Sequence, residues 1–273
     1  MALQALKNIK SEGSNAPKGF PALLEQYKGE IAKALPKHLN PDRMARVALT
    51  AFRMNPRLGE CDPRSVFAAI IQSSQLGLEV GLSGEAHLVP FKSECQLVPG
   101  YQGLMKLARN SGLVADIYGH PVRSKDKFSM KLGLQKTLNH EPFAAAGGFP
   151  AAEEERGELV GFYAVAVLSN GIKTFEPMSR ASVERIRDRS RGYQAAKRNN
   201  RESPWDTDFE AMGLKTVIRR LCKYLPKSPE LALALELDNA TEDGRAQGLD
   251  LNSVIDGSYV PVTDEANEPA DAA

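Results

Sequence analysis

Apolar residues recur at helical spacing in Pro41 to Met54 (PDRMARVALTAFRM), where Met44, Val47, Leu49 and Phe52 build one face. Pro41 and Asp42 suit the first turn. Asp62 to Leu76 repeats the pattern, with Pro63 just inside an aspartate cap, and Leu23 to Leu35 carries a similar one. Gly77, Gly81 and Gly84 then interrupt. Ala86 to Phe91 (AHLVPF) and Cys95 to Val98 (CQLV) predict two short strands joined by a hairpin-length connector. Tyr101 to Asn110 predicts a helix closed by Ser111-Gly112. Leu113 to Val122 predicts a strand that Pro121 confines to an edge or an end. Leu159 to Leu168 predicts a buried strand, and Ser169-Asn170-Gly171 a hairpin turn into Ile172 to Phe175. Ser179 to Arg189 and Thr207 to Tyr224 predict helices, the second ended by Leu225-Pro226. Leu134 to Glu158, rich in Gly, Pro and Ala, predicts a loop or weak hairpin, and Gly192 to Asp206 a polar loop holding the only tryptophan. This order gives an α+β fold with a mainly antiparallel sheet packed with helices. The boundaries are a flexible segment 1–19, a core 20–227 and an acidic, largely disordered tail 228–273, with one short helix from Pro229 to Leu237.

Charge sharpens the picture. The 273 residues carry a formal net charge of only +1. Yet Ser179 to Lys227 holds 13 Lys and Arg against 6 Asp and Glu, a net +7, and Ser228 to Ala273 holds 1 against 11, a net −10. This separation suggests an anion-binding body with an acidic tail; a solvated helix followed by a disordered end is the plainer alternative. No stretch approaches the roughly 20 apolar residues of a membrane span. The first residues lack an apolar run and carry Lys7, Lys10 and Lys18, so a secretory leader is not expected. Cys61, Cys95 and Cys222 are odd in number and form no CxxC pair, which favours a reducing, cytoplasmic setting over disulfides or zinc.

Three constellations carry candidate chemistry. Lys215, Arg219 and Lys223 lie four apart on the Thr207 to Tyr224 helix, with Arg220 beside them. Cations stacked on one face repel unless an anion sits there, and a phosphate backbone is a natural partner. Arg185, Arg187, Arg189 and Arg191 form a second dense set, and Lys197, Arg198 and Arg201 extend it. Arginine grips phosphate through paired hydrogen bonds. The third is the turn Gly100-Tyr101-Gln102-Gly103. There Tyr101 could stack on a base and Gln102 reach the backbone, with Lys106 and Arg109 on the helix that follows. A solvated helix face, a mobile loop and a core tyrosine remain the respective alternatives.

Several segments in fixed order resemble the RecT family of phage and prophage annealing proteins. They are Gly77-Leu78-Glu79, HLVPF at His87 to Phe91, and QLVPGYQGLMKLARNSG at Gln96 to Gly112. Asp126, Phe128, NHEP at Asn139 to Pro142 and Gly161-Phe162-Tyr163-Ala164 follow. Met178-Ser179, SPW at Ser203 to Trp205 and MGLKTVIRRLCKYLP at Met212 to Pro226 complete the series. Pro99 before Gly100 departs from the bulkier residue expected there.

The resemblance implies a non-catalytic recombinase of a bacterial host cell that binds single-stranded DNA and holds an annealed duplex intermediate. It implies assembly into rings or helical filaments, with no cofactor required and magnesium as a possible modulator of DNA binding. The tail could recruit a host single-strand binding protein or a phage exonuclease, compete with DNA for the basic groove, or simply solubilise. The bare residues weigh against a nuclease. Asp126, Glu141 and Glu158 lie near strands without visible convergence, and His87, His120 and His140 lack HxH or HExxH spacing. A compact helix-turn-helix is also missing, which disfavours a sequence-specific regulator. A passive coating protein is the nearer competitor.

Overall fold

The computed structural model describes residues 40–81 and 83–248, together with Leu24 and Gly29. The expected flexible segment 1–19, nearly all of the Leu23 to Leu35 helix, and residues 249–273 lie outside these. The chain forms two compact units, Met1–Gly100 with Glu236–Ala273, and Tyr101–Leu235. The expected core, 20–227, contributes residues to both. The α+β reading holds, with antiparallel strands in separate sheets of two, three and two strands rather than one main sheet.

The first unit begins with α1 (Pro41–Met54). Asn40 caps it, accepting from the amides of Asp42 and Arg43 at 2.9 and 3.2 Å. A 3₁₀ turn, Pro56–Glu60, leads to α2 (Pro63–Gln75), capped by Asp62. Every residue of α2 from Ser65 to Ser74 is buried. Its hydroxyls are therefore bonded internally: Ser73 donates to the Leu78 carbonyl at 2.8 Å and Ser74 to the Ile70 carbonyl at 2.7 Å. The strands β1 (Ala86–Phe91) and β2 (Glu94–Pro99) pair from Ala86↔Pro99 to Phe91↔Glu94, and β2 packs on α2. Gly100 has no room for a side chain, because the Gly84 carbonyl occupies the place a Cβ would take. Pro99 thus closes β2 and an obligatory glycine follows.

The short helix expected from Pro229 to Leu237 runs further. Pro229–Asp243 is a helix, α8, with Leu231, Ala234, Leu235, Leu237 and Ala240 buried. Beyond it Gln247 is 2% exposed. Its amide donates to the Leu97 carbonyl (2.7 Å) and the Leu237 carbonyl (2.9 Å), and its Oε1 accepts from the Leu97 amide (2.8 Å). A side-chain amide here imitates a neighbouring strand. Ordered structure therefore continues to residue 248.

The second unit is layered on a three-stranded sheet of order β3-β6-β7. Its strands are β3 (Val114–Arg123), β6 (Leu159–Leu168) and β7 (Lys173–Ser179). Uncharged β6 is central, and β3 with its Pro121 is an edge, as expected. The helix α3 (Tyr101–Asn110) precedes β3, and α7 (Phe209–Cys222) packs across β6. Close approach depends on glycine: a Cβ on Gly213 would fall within the Phe162 ring, and one on Gly119 would meet Leu214 and Ile218 at 3.5 Å. The other sheet face, with Val122, Tyr163, Val165 and Phe175, is covered by Phe128 and Leu138. These belong to a hairpin of β4 (Lys127–Lys131) and β5 (Thr137–Glu141). The weak hairpin expected after Leu134 is thus half of a real one whose first strand lies earlier. The polar loop at Gly192 to Asp206 is corrected as well. It contains α5 (Arg191–Arg198), joined through Ser190 to α4 (Arg180–Arg189), and a helical turn α6 (Pro204–Thr207) that buries Trp205.

Candidate nucleic-acid interface

The basic helices owe their placement to caps and aromatic contacts more than to apolar burial. Ser179 caps α4 and Ser190 caps α5, where no residue is buried. Arg187 is the pin between them. Its guanidinium lies 5.2 Å from the Tyr193 ring centre and 5.9 Å from that of Phe209, and its Nε reaches Asp188 at 2.9 Å. The hydrogen bond to Asp188 raises its pKa further. Arg180 also approaches Phe209, at 6.0 Å, and Phe209 meets Trp205 and Phe162. Such contacts contribute about 0.5–2 kcal/mol each, depending on desolvation.

Around this pin the cations turn outward. Arg185, Arg189, Arg191, Lys197, Arg198 and Arg201 are all exposed. Lys197 sits 5.3 Å from the Tyr193 ring centre and 4.0 Å from Asp206. With Asn200, Arg201, Glu202 and Asp206 it lines an open recess. Asn200 adopts φ 52°, the left-handed conformation that asparagine tolerates in turns.

The expected stripe on α7 is not uniform. Lys215 is half-buried and Lys223 exposed, and neither has an ionic partner among the described residues. Arg219 between them is only 8% exposed. Arg220 is exposed but its Nε lies 2.6 Å from Glu176 on β7. The helical period is right, but burial removes the middle member from the solvent face. On α3, Tyr101 is half-buried and Gln102 exposed within the first turn. Lys106 is half-buried, and Arg109 bonds Asp116 at 3.2 Å and the Ile117 carbonyl at 2.9 Å, tying α3 to β3. All fifteen expected DNA-contact positions fall in the second unit.

A polar hub that the sequence did not disclose lies at Asp126, in the β3–β4 turn. Its side chain is 0% exposed. It accepts from Arg156 Nε and Nη2 at 3.0 and 2.7 Å and from the amides of Arg123 and Phe143 at 2.8 and 2.9 Å. His140 Nε2 lies at 3.1 Å, and its Nδ1 meets the Tyr163 hydroxyl at 3.1 Å. Burial opposes ionisation of Asp126, but the donors, Arg156 foremost, outweigh it and hold the carboxyl well below the usual range. Nearby, Arg123 bonds Glu153 and Glu210, both at 2.6 Å. Burial, then Glu153, pushes the Glu210 pKa up.

The carboxylates weighed for a nuclease do not meet: Asp126 is consumed by this hub, Glu141 faces Lys127 at 3.3 Å, and Glu158 is exposed. Among the described residues no group of three or more His, Cys, Asp or Glu is placed to hold a metal ion.

Comparison with known proteins matches residues 42–248 to the RecT family model. The chain belongs to the RecT family. It is 39% identical over 245 residues to Protein RecT of Escherichia coli (strain K12), covering 84% of this chain and 85% of that protein. It is 24% identical over 278 residues to YqaK of Bacillus subtilis (strain 168), an uncharacterized protein, covering 97% and 88%. The RecT-family match spans residues of both units and ends one residue past Gln247, where the described structure also ends. Many of the residues that carried the resemblance are structural. Asp126, Phe128, His140 and Tyr163 build the hub and its aromatic surroundings, and Gly213 lets α7 onto β6. No described helix is long and apolar enough to cross a membrane.

Proposed function

We propose that this RecT-family chain binds single-stranded DNA and anneals it to its complement without a nucleotide, as a non-catalytic step in recombination. The observation that carries the reading is the set of exposed cations on α4 and α5 and in the loop that follows, from Arg185 to Arg201; half-buried Lys215 and exposed Lys223 on α7 add to it. Arg187 and Arg220 hold these elements through protein contacts, Arg219 is buried, and the exposed members take the phosphates. Gln102 and Tyr101 add polar and stacking contacts at the start of α3.

The energetics need no bond chemistry. Duplex stacking releases roughly 1.4 kcal/mol per step, so pairing runs downhill. What slows it is repulsion between backbones and slow encounter. A basic surface screens the first and raises local strand concentration against the second. Assembly into rings or filaments would repeat the set along a strand. Cytoplasmic residence, modulation by magnesium, and recruitment of a host single-strand binding protein or an exonuclease through the C-terminal tail, 228–273, belong to the same proposal.

The test mixes two labelled complementary oligonucleotides without nucleotide and follows pairing by energy transfer, with a noncomplementary pair as control. Acceleration confined to complementary strands is expected. Binding without acceleration would reduce the protein to a coating module, and shortened strands would point to a nuclease.

A further inference from the structure

Annealing requires two backbones to be held at once, and the cations assigned above all lie in the second unit. The first unit has its own basic face. On α1, Arg43, Arg46 and Arg53 are exposed, and Arg57, also exposed, follows on the 3₁₀ turn. At 3.6 residues per turn, Arg43, Arg46, Thr50 and Arg53 fall within an arc of about 80°. The core side of the helix buries Ala48. Arg43 is held by Glu79 at 2.6 Å, and Arg46 bonds the Asp42 carbonyl through Nε at 3.2 Å. Arg53 and Arg57 have no ionic partner among the described residues. Arg43 to Arg53 span about 15 Å of helix.

We propose that this α1 face holds phosphates of the second DNA strand. The proposal rests on the annealing reading for its partner. Charge complementarity selects that partner: the face carries guanidinium groups and no lysine, and guanidinium matches phosphate in paired hydrogen bonds. A strand already bound on the second unit leaves these arginines unused. Both backbones would then be neutralised by one chain, which is what pairing two polyanions demands.

The experiment loads the full-length protein with one oligonucleotide and measures capture of a second, complementary, labelled strand across a salt series. Capture is read by electrophoresis and pairing separately by energy transfer. The variant Arg46→Ala/Arg53→Ala/Arg57→Ala spares the Arg43–Glu79 pair. Each phosphate contact on a single strand contributes about 0.7 to the slope of log affinity against log salt. The variant should therefore flatten the slope of second-strand capture by about two and leave first-strand binding unchanged.

A charge-preserving variant, Arg46→Lys/Arg53→Lys/Arg57→Lys, should keep most of the slope. The single changes Arg53→Ala and Arg57→Ala should each remove about 0.7, which keeps the test alive if the triple variant fails to fold. Unchanged capture by the triple variant would overturn the proposal. So would an equal loss of first-strand binding, or a loss of assembly size in light scattering, which would make the face a protein–protein contact. Wild-type capture without pairing would refute annealing and leave this site standing. Wild-type pairing with normal capture by the variant would do the reverse.

Discussion

Replacing Asp126 by Asn tests whether the buried hub holds the second unit together. The carboxylate takes two bonds from Arg156 and one each from the Arg123 amide, the Phe143 amide and His140. Asparagine keeps one acceptor oxygen and places an NH2 group where the other oxygen stood. At least one existing donor then faces a donor, and Arg156, with a side chain 12% exposed, loses its counter-charge. Breaking a buried ion pair from one side costs about 3–5 kcal/mol. The retained oxygen and residual hydration of Arg156 reduce this to about 2–4 kcal/mol.

Urea unfolding followed by Trp205 fluorescence reads it, because the only tryptophan is buried in the same unit. The folded pKa of Asp126 is depressed, so its stabilisation is complete above the unfolded value of about 3.9 and lost as pH falls below it. The gap between wild type and variant should therefore be full at neutral pH and narrow below about pH 4. A loss under about 1 kcal/mol at an unchanged urea slope, or a gap that ignores pH, would refute the reasoning.

Four further predictions follow from burial. Arg219→Ala should lower the melting temperature with little change in the salt slope of DNA binding. Lys223→Ala should leave stability alone and flatten the slope by about 0.7. Gly213→Ala should destabilise by about 1–3 kcal/mol through its clash with Phe162, despite a helix-propensity gain of about 1 kcal/mol; pairing it with Phe162→Leu should recover part of the loss in thermal melts. Truncation after Gly248 should keep the melting temperature, whereas truncation after Asn239 should lower it by removing Gln247 from Leu97; equal melting of the two would contradict the latch.

What the sequence discloses depends on how strongly burial marks an element. α1, α2, α3 and β6 were legible because each carries an apolar face or a wholly apolar run, with Pro41, Asp62 or a closing glycine marking an end. β4 and β5 were not. No residue of either is fully buried, and Phe128 and Leu138 are the apolar positions that signal the covered face. α5 was missed because RGYQAAKR contains nothing buried, so its helix rests on the Ser190 cap and contacts to Tyr193. Gln247 was illegible for the opposite reason: a polar residue after an acidic helix gives no hint that its amide completes a sheet edge. The cationic positions were found by period, but period cannot tell a buried arginine from an exposed one.

That last ambiguity decides how the DNA surface should be dissected. Arg187 and Arg220 are already engaged, by Asp188 with two rings and by Glu176, and Arg219 is enclosed by protein. To take a phosphate, each would have to give up those contacts or leave the interior. Arg185, Arg189 and Arg201 would exchange mainly water. Removing a member of either class weakens DNA binding at one salt concentration, through lost structure in the first and lost charge in the second. Affinity alone cannot separate them. Stability and salt slope together can, because counterion release counts the phosphates neutralised and is indifferent to the packing that positions them. Loss of stability at constant slope marks a positioning arginine, and loss of slope at constant stability marks a contact.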